Sequence, residues 1–174
     1  MHKVLVTGAT GNIGAQIVAD LQAQGIPMRA FTRNSLAAAH KLGPGVDIHQ
    51  GDFADSASIA RALEGISHVL LSSSNHPLQA EHEFAVIDAA AGAGVERIVK
   101  LSTVSAEVGS RCAFFDAHGR AEQHLREART RSVILQSSFY MSNLFAVAET
   151  VRTMGKIFAP VAGARLSMID PRDV

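Results

Sequence analysis

Short apolar runs alternate with amphipathic segments along most of the chain. The run Val4–Val6 is apolar and mostly β-branched, as in parallel strands that are buried on both faces. Downstream, Ile13, Ile17, Val18 and Leu21 recur at helical spacing. A buried strand followed by an amphipathic helix predicts the start of a βαβ unit.

The same alternation continues as far as residue 136. It predicts a doubly wound α/β fold of the Rossmann type, with a parallel sheet in the strand order 3-2-1-4-5-6 and ligands at the carboxyl ends of the strands. Ser35 and Ser56 are the predicted N-caps of the second and third helices. The later predicted strands cover residues 28–33, 46–48, 68–71, 95–101 and 132–136, and the later predicted helices include 36–42, 79–93 and 117–129.

Composition and charge narrow the functional classes. The chain has 174 residues, and 16 basic side chains balance 16 acidic ones, so no overall field favours nucleic acid or an anionic membrane. Cys112 is the only cysteine, which excludes an internal disulfide and a multi-cysteine metal site, and the histidine spacing predicts no metal ion. The first strand begins just after Met1 and no apolar run reaches the roughly 18 residues of a membrane span, so we expect a cytoplasmic protein.

Three glycines separate the first strand from the first helix. Gly8 permits a tight turn, Gly11 lets a pyrophosphate approach the backbone, and Gly14 lets the helix pack on the strand. The helix N-terminus adds free N–H groups and a partial positive charge. Incidental glycines in an ordinary strand–turn–helix connection are the alternative. The predicted dinucleotide-binding residues here are Gly8, Thr10, Gly11, Asn12, Ile13 and Gly14.

The end of the second strand indicates which nicotinamide dinucleotide binds. NAD-preferring Rossmann sites carry Asp or Glu there, where the carboxylate accepts a hydrogen bond from the ribose 2′-OH. This chain has Thr32, Arg33 and Asn34 instead. A guanidinium pairs with a 2′-phosphate through a planar fork of donors, so Arg33 favours NADP(H) over NAD(H). A solvated surface arginine is the alternative.

Six segments taken together are typical of one family. They are Thr7–Gly14, Thr32–Asn34, Gly51–Asp52, Leu71–Ser74, His118–Glu122 and Ser137–Leu144. The chain resembles the NmrA-like group of atypical short-chain dehydrogenase/reductases, and most closely its quinone-oxidoreductase-like members, over its whole length. The resemblance implies that Asp52 and Phe53 contact the adenine, although an Asp after Gly51 is also a typical turn residue.

Two further groups of residues are predicted to face the ligands. Ser72, Ser73 and Ser74 end the fourth strand, which places them near the nicotinamide ribose unless they only solvate a turn. Tyr140 and Asn143, in a segment that carries the resemblance, are predicted to line the substrate cleft.

The proton donor of standard short-chain dehydrogenases is missing. Those enzymes place Tyr and Lys four residues apart, whereas the matching spacing here joins Phe114 and His118. We predict that His118 is catalytic and holds the nicotinamide ribose or donates a proton near neutral pH, oriented by Glu122 one helical turn away. A surface His and Glu pair is the alternative. Ser102 and Thr103 end the fifth strand, where the family's catalytic serine lies, and we predict that either hydroxyl binds a substrate oxygen.

The resemblance also implies how the chain is divided. Family members continue beyond the segment that residues 168–174 resemble, so we expect a truncated substrate portion. The predicted NAD(P)-binding Rossmann domain is 1–154, and 155–174 is the predicted start of an incomplete substrate-covering portion. One helix over 140–154 and extended pieces over 155–160 and 164–169 are predicted in this region.

These features predict an NADPH-dependent oxidoreductase that transfers a hydride to a quinone or a similar aromatic acceptor. Such a reaction needs binding and orientation more than a strong acid. The alternative is a non-catalytic NADP(H)-binding, redox-sensing regulator that acts through a protein partner. A homodimer is a further option, and no direct partner is expected among nucleic acids or membranes.

Overall fold

The main sheet has the predicted strand order. In the computed structural model, which describes residues 2–158, 163 and 165–174, six strands lie in the order β3-β2-β1-β4-β5-β6. The pairs of β1 with β2 and β4, of β2 with β3, and of β4 with β5 are parallel. The strands are β1 (Val4–Val6), β2 (Met28–Thr32), β3 (Asp47–Gln50), β4 (His68–Leu71), β5 (Arg97–Thr103) and β6 (Arg131–Ser137).

Five α-helices connect these strands. They are α1 (Asn12–Ala23), α2 (Ser35–Leu42), α3 (Ser56–Ala62), α4 (Gln79–Gly92) and α5 (Ala113–Glu127). Two predicted caps are wrong, because each lies one residue too late. Asn34 Oδ1 accepts from Ala37 N at 3.0 Å and Asp55 Oδ1 accepts from Ala57 N at 3.0 Å, so Ser35 and Ser56 lie inside the helices. Among the described residues no helix combines the length and apolar character needed to cross a bilayer.

The largest apolar cluster joins the sheet to the helices on one of its sides. Leu5 of β1, Val69 of β4 and Ile98 of β5 are almost fully buried in it. Ile59 of α3 and Ile87 of α4 pack against the same cluster. Burial of this kind stabilises the fold by about 25 cal/mol per Å² of apolar surface, which holds the carboxyl ends of the central strands in fixed positions.

The carboxyl ends of β1 and β4 are fastened together. Thr7 is fully buried, and its Oγ1 donates to the Ser72 carbonyl at 2.8 Å and accepts from the Ser72 N–H at 2.8 Å. Gly8 has a φ of 60°, and a Cβ there would lie 2.8 Å from the Ser72 carbonyl oxygen. A Cβ on Gly14 would lie 2.2 Å from the Gly8 oxygen, so the first turn of α1 packs directly on this loop. The crevice between β1 and β4 is the predicted ligand position.

Residues 137–174 form a second compact unit. Its strands β7 (Phe139–Tyr140) and β8 (Met168–Ile169) pair in parallel. The single helix predicted over 140–154 is wrong, because a 3₁₀ helix (Met141–Val147) precedes α6 (Ala148–Met154). Ser142 and Asn143 lie in the irregular part, and such side chains compete with the backbone for hydrogen bonds inside an α-helix.

The predicted extended pieces are only partly described. Residues 159, 160 and 164 of those pieces lie outside the described residues, while β8 falls within the piece predicted over 164–169. The division into compact units falls between Gln136 and Ser137. The boundary after residue 154 remains a prediction about the substrate-covering portion.

Candidate functional site

The glycine loop, defined as residues 8–11, leads directly into α1. Gly11 N donates to the Gly8 carbonyl at 2.8 Å and Gly11 is the N-cap of the helix. Among the described residues no side chain caps this N-terminus, and its first turn contains no acidic residue. Lys41 of α2, which sequence reasoning missed, donates to the Thr10 carbonyl at 2.7 Å and adds a cation beside the loop.

These features fit the pyrophosphate of a dinucleotide. A Cβ at Gly11 would lie 3.1 Å from the Gly8 oxygen and would fill space beside the helix N-terminus. Oriented N–H groups, the helix dipole and a nearby ammonium all favour an anion, and no carboxylate in the first turn opposes it.

The Arg33 cleft is an open depression of about 290 Å³ where β2 and β3 end. Arg33 is exposed and lines it. The Asn34 side chain is instead occupied by its cap of α2, and Thr32 Oγ1 accepts from Asn34 N at 3.3 Å. Hydrogen bonds from Thr32 or Asn34 to a cofactor would therefore compete with these internal bonds. The other lining residues are Gln50, Gly51, Asp52, Asp55, Ser58 and Arg61.

Asp52 and Phe53 lie beside this cleft. Asp52 Oδ1 accepts from Ala54 N at 2.9 Å, which is the turn role left open by the sequence. Phe53 stacks on Phe31 with ring centroids 5.5 Å apart and is only partly buried. The Phe53 ring also lies against His82, with centroids 6.0 Å apart, and adenine contact stays a prediction for both Asp52 and Phe53.

The three serines after β4 have different environments. Ser72 is bound through its backbone to Thr7, as described above. Ser73 is half-buried and its Oγ donates to Glu83 Oε1 at 2.6 Å. Ser74 is exposed. All three follow the central strand β4, and their cofactor contacts stay predictions.

A buried polar cluster lies next to this edge of the sheet. Lys100 on β5 has no exposed surface, and its Nζ forms an ion pair with Glu83 Oε2. The same Nζ lies 3.3 Å from the Leu101 carbonyl and 3.3 Å from His118 Nδ1. The cluster consists of Gln79, Glu83, Lys100, Ser102, His118 and Glu122, each at most 8% exposed.

His118 is at the centre of the buried polar cluster and not on the surface. Its Nδ1 faces Lys100 and lies 3.5 Å from Ser102 Oγ, while its Nε2 lies 3.1 Å from Gln79 Nε2. Burial lowers the pKa of His118 to about 4; the Lys100 ammonium adds to this effect, and the carboxylates of Glu83 and Glu122 oppose it. With this pKa the imidazole is neutral at pH 7, which argues against proton donation by His118 near neutral pH. Its catalytic role and its contact with the nicotinamide ribose stay predictions.

Glu122 holds Ser102 and not the imidazole. Ser102 Oγ donates to Glu122 Oε1 at 2.5 Å, and Gln136 Nε2 and Arg126 Nη2 also donate to this carboxylate. Burial raises the pKa of Glu122, but these hydrogen bonds outweigh it and hold the pKa below its ordinary value. Thr103 is half-exposed and its Oγ1 donates to the Val104 carbonyl at 3.1 Å. Of the two hydroxyls predicted to bind a substrate oxygen, that of Thr103 is therefore more accessible than that of Ser102.

A glycine fixes the helix that carries His118. A Cβ on Gly119 would lie 2.4 Å from the Glu107 carbonyl carbon and 2.6 Å from Val108 N. Glu107 N also donates to the Phe115 carbonyl at 3.1 Å. The loop after β5 therefore packs directly on the backbone of α5 and sets the position of the imidazole.

Three further predictions concern other parts of the chain. Tyr140 and Asn143 belong to the second unit, where Tyr140 Oη accepts from Ser137 Oγ at 2.9 Å, and their substrate contact stays a prediction. The absence of a metal ion also stays a prediction. The described residues do bring together three side chains of metal-ligating type, which are His2, His68 and Glu96.

The whole chain, residues 1–174, matches the model of the NmrA-like family. The chain belongs to the NmrA-like family. It is 30% identical over 171 residues to an NAD(P)H azoreductase of Xenophilus azovorans, and the match covers 98% of this chain and 60% of the azoreductase. The NmrA-like chain thus spans about 60% of the length of this relative.

Solved structures agree with the NmrA-like assignment. One is the NADPH-dependent quinone oxidoreductase of Escherichia coli, solved with NADPH, which is 30% identical to this chain with a TM-score of 0.77. The match covers 87% of this chain and 54% of the quinone oxidoreductase chain. The triphenylmethane reductase of Citrobacter sp., solved with NADP(H), is 27% identical to this chain with a TM-score of 0.77. That match covers 88% of this chain and 54% of the reductase chain. The predicted family and Rossmann-type fold are confirmed.

Sequence reasoning about the NmrA-like chain missed Gln79, Glu83 and Lys100. A signal was present, because a lysine inside an apolar strand such as β5 almost always requires a buried acidic partner. The sequence does not say which acid supplies it. Glu83 lies among the apolar residues of α4, 17 positions before Lys100, and only the packing of α4 on β5 joins them.

Proposed function

We propose that this NmrA-like chain is the NADPH-binding part of an oxidoreductase that reduces a quinone or a similar aromatic acceptor. The single observation that carries the proposal is Arg33, exposed on an open cleft at the end of β2 where NAD-preferring sites carry a carboxylate. Relatives that bind NADPH or are named as NAD(P)H reductases support it.

Different residues of the first unit bind different parts of the dinucleotide. The glycine loop and the N-terminus of α1 bind the pyrophosphate, and Lys41 adds positive charge there. Arg33 pairs with the 2′-phosphate. Phe53 offers an aromatic face to the adenine.

The bound cofactor supplies a hydride to the acceptor. Thr103, half-exposed at the carboxyl end of β5, orients an acceptor oxygen by turning its hydroxyl proton from the Val104 carbonyl to that oxygen. Both ring nitrogens of His118 already have partners inside the buried polar cluster, so the proton that completes the reaction comes from solvent. Reduction of an electron-poor ring tolerates this, because orientation of hydride and acceptor supplies much of the acceleration.

A non-catalytic NADP(H)-binding regulator is the second candidate. The observation that favours it is the inward position of Ser102 and His118, whose polar atoms bind Glu122, Lys100 and Gln79. In such a protein, cofactor occupancy changes the affinity for a protein partner by a coupling free energy of about 1–3 kcal/mol.

The test compares cofactor binding with turnover. We expect Arg33→Glu to weaken NADPH about tenfold to a hundredfold, because it removes charge-assisted hydrogen bonds and adds repulsion, and to leave NADH within about twofold. Arg97→Glu is the matched control, since Arg97 is exposed at the amino end of β5. Titration calorimetry measures both affinities.

Three outcomes are decisive. Equal losses of NADPH and NADH affinity would remove Arg33 from the 2′-phosphate site. Tight NADPH binding without oxidation of NADPH by a panel of quinones would refute the reductase and favour the regulator. If the wild-type chain bound neither dinucleotide, the cofactor assignment itself would fail.

A further inference from the structure

The Ser73 side chain, at the carboxyl edge of the sheet, is hydrogen-bonded to a buried carboxylate. Ser73 is half-buried just after β4, and its Oγ donates to Glu83 Oε1 at 2.6 Å. The other oxygen of the same carboxylate, Oε2, accepts from Lys100 Nζ. Glu83 therefore bridges an accessible hydroxyl and a fully buried ammonium.

The types of donor and acceptor fix the direction of these bonds. An ammonium only donates, and an ionised carboxylate only accepts. The single hydroxyl proton of Ser73 is therefore directed at Glu83, which leaves the lone pairs of its Oγ for another partner. A ligand group that meets Ser73 must then be a hydrogen-bond donor, such as a ribose hydroxyl or a carboxamide NH₂.

The anchor is itself held from several sides. Lys100 Nζ also lies 3.3 Å from the Leu101 carbonyl and from His118 Nδ1, and Gln79 Nε2 lies 3.4 Å from Glu83 Oε1. Lys100 is the register partner of Leu71, the last residue of β4. The ion pair therefore sits directly behind the strand end that carries Ser73.

We propose that Glu83 and Lys100 are positioning residues that hold Ser73 as a hydrogen-bond acceptor for the nicotinamide half of the dinucleotide. This inference rests on the proposed function, since it assumes that NADPH lies along the carboxyl edge of the sheet. It assigns to the buried pair a role in cofactor orientation in addition to its place in the core.

The experiment separates the two halves of the cofactor. Affinities are measured for NADPH and for 2′,5′-ADP, which has the adenosine phosphates but no nicotinamide. The variants are Ser73→Ala, the double variant Lys100→Met/Glu83→Leu, which keeps the site neutral and filled, and the triple combination. We expect Ser73→Ala and the double variant each to weaken NADPH about fivefold to tenfold and to leave 2′,5′-ADP unchanged.

The triple variant tests whether the pair acts through Ser73. We expect it to bind NADPH as weakly as the double variant and no weaker, because the two changes remove the same contact. Lys3→Met is the control, since it deletes the ion pair between Lys3 and Asp47. Lys3 lies just before β1, at the amino edge of the sheet, whereas Ser73 follows the carboxyl end of β4. It is expected to change neither affinity.

Several results would overturn the inference. Unchanged NADPH affinity in Ser73→Ala would remove Ser73 from the site. Losses that multiply in the triple variant, or an equal loss for both ligands in the double variant, would show that the pair acts independently of Ser73. Failure of the wild-type chain to bind either ligand would instead overturn the proposed function, and this inference with it.

Discussion

The ion pair between Lys100 and Glu83 gives the sharpest test of the packing. Both side chains have no exposed surface, and Glu83 has no second cation among its described contacts. Replacing Lys100 by Met keeps most of the length of the side chain and its apolar character, and removes the charge. It leaves Glu83 as a buried carboxylate whose remaining donors, Ser73 and Gln79, are neutral.

The expected loss of stability is large. Removing one partner of a buried ion pair lowers the free energy of unfolding by about 3–5 kcal/mol, because the remaining charge is desolvated without compensation. For a chain of this size, each kcal/mol shifts the melting temperature by about 2–4 °C, so Lys100→Met is expected to melt roughly 6–20 °C below the wild type. In Lys100→Met/Glu83→Leu both charges are absent, and the stability should return to within about 1–2 kcal/mol of the wild type.

Urea unfolding followed by circular dichroism measures these differences. Lys3→Met provides the comparison with a partly exposed pair, whose loss should lower the free energy of unfolding by about 1 kcal/mol or less. Compensation between the two charges is refuted if Lys100→Met is no less stable than Lys3→Met, or if the double variant is less stable than Lys100→Met. Either result would mean that the two charges do not compensate each other in the folded chain.

Two more predictions concern α5. Gly119→Ala places a Cβ against the backbone at Glu107 and should lower the free energy of unfolding by about 1–3 kcal/mol. Gly92→Ala is the control and should leave the free energy of unfolding nearly unchanged, because outside its own helix no atom of the described residues lies within 4 Å of the new Cβ. Equal effects of the two variants in thermal melts would contradict the packing of Glu107 on α5. The pKa of His118 is about 4 in the folded chain against an ordinary 6.5, so the unfolded chain binds more protons between these values. The contribution of His118 to the free energy of unfolding is therefore complete above pH 6.5 and falls by up to about 3 kcal/mol as the pH decreases to 4. Urea titrations of His118→Gln should show a flatter pH profile, an expectation that parallel profiles would rule out.

Local patterns predicted the centre of the sheet well because β1 and β4 are short apolar runs, whereas β3 (Asp47–Gln50) contains a single apolar residue. The order of the strands follows from right-handed βαβ crossovers, and the glycine loop from its position after β1. The ends of elements were less predictable. The α5 helix begins at Ala113 and not at 117, and β5 runs to Thr103 and not to 101, since contacts between the loop after β5 and α5 decide those ends.

Some residues of the candidate site were likewise predictable from the sequence, and others were not. Arg33 and the glycine loop were predictable because a contiguous motif specifies their positions. The buried polar cluster was not, because Glu83, Lys100 and His118 come from three elements that meet only after packing. The neutral charge of His118 was unpredictable for the same reason, since it depends on what surrounds the ring.

The contact between Gly8 and Ser72 has a consequence for the entropy of ligand binding. The Thr7 hydroxyl and the Gly8–Ser72 contact order the glycine loop and the end of β4 together, as one rigid unit, when the chain folds. Ordering a backbone residue costs about 1–2 kcal/mol of conformational free energy at 25 °C, and here this loss occurs before any ligand arrives. A dinucleotide that binds as proposed would therefore meet N–H groups that are already ordered, and more of its interaction energy would be expressed as affinity.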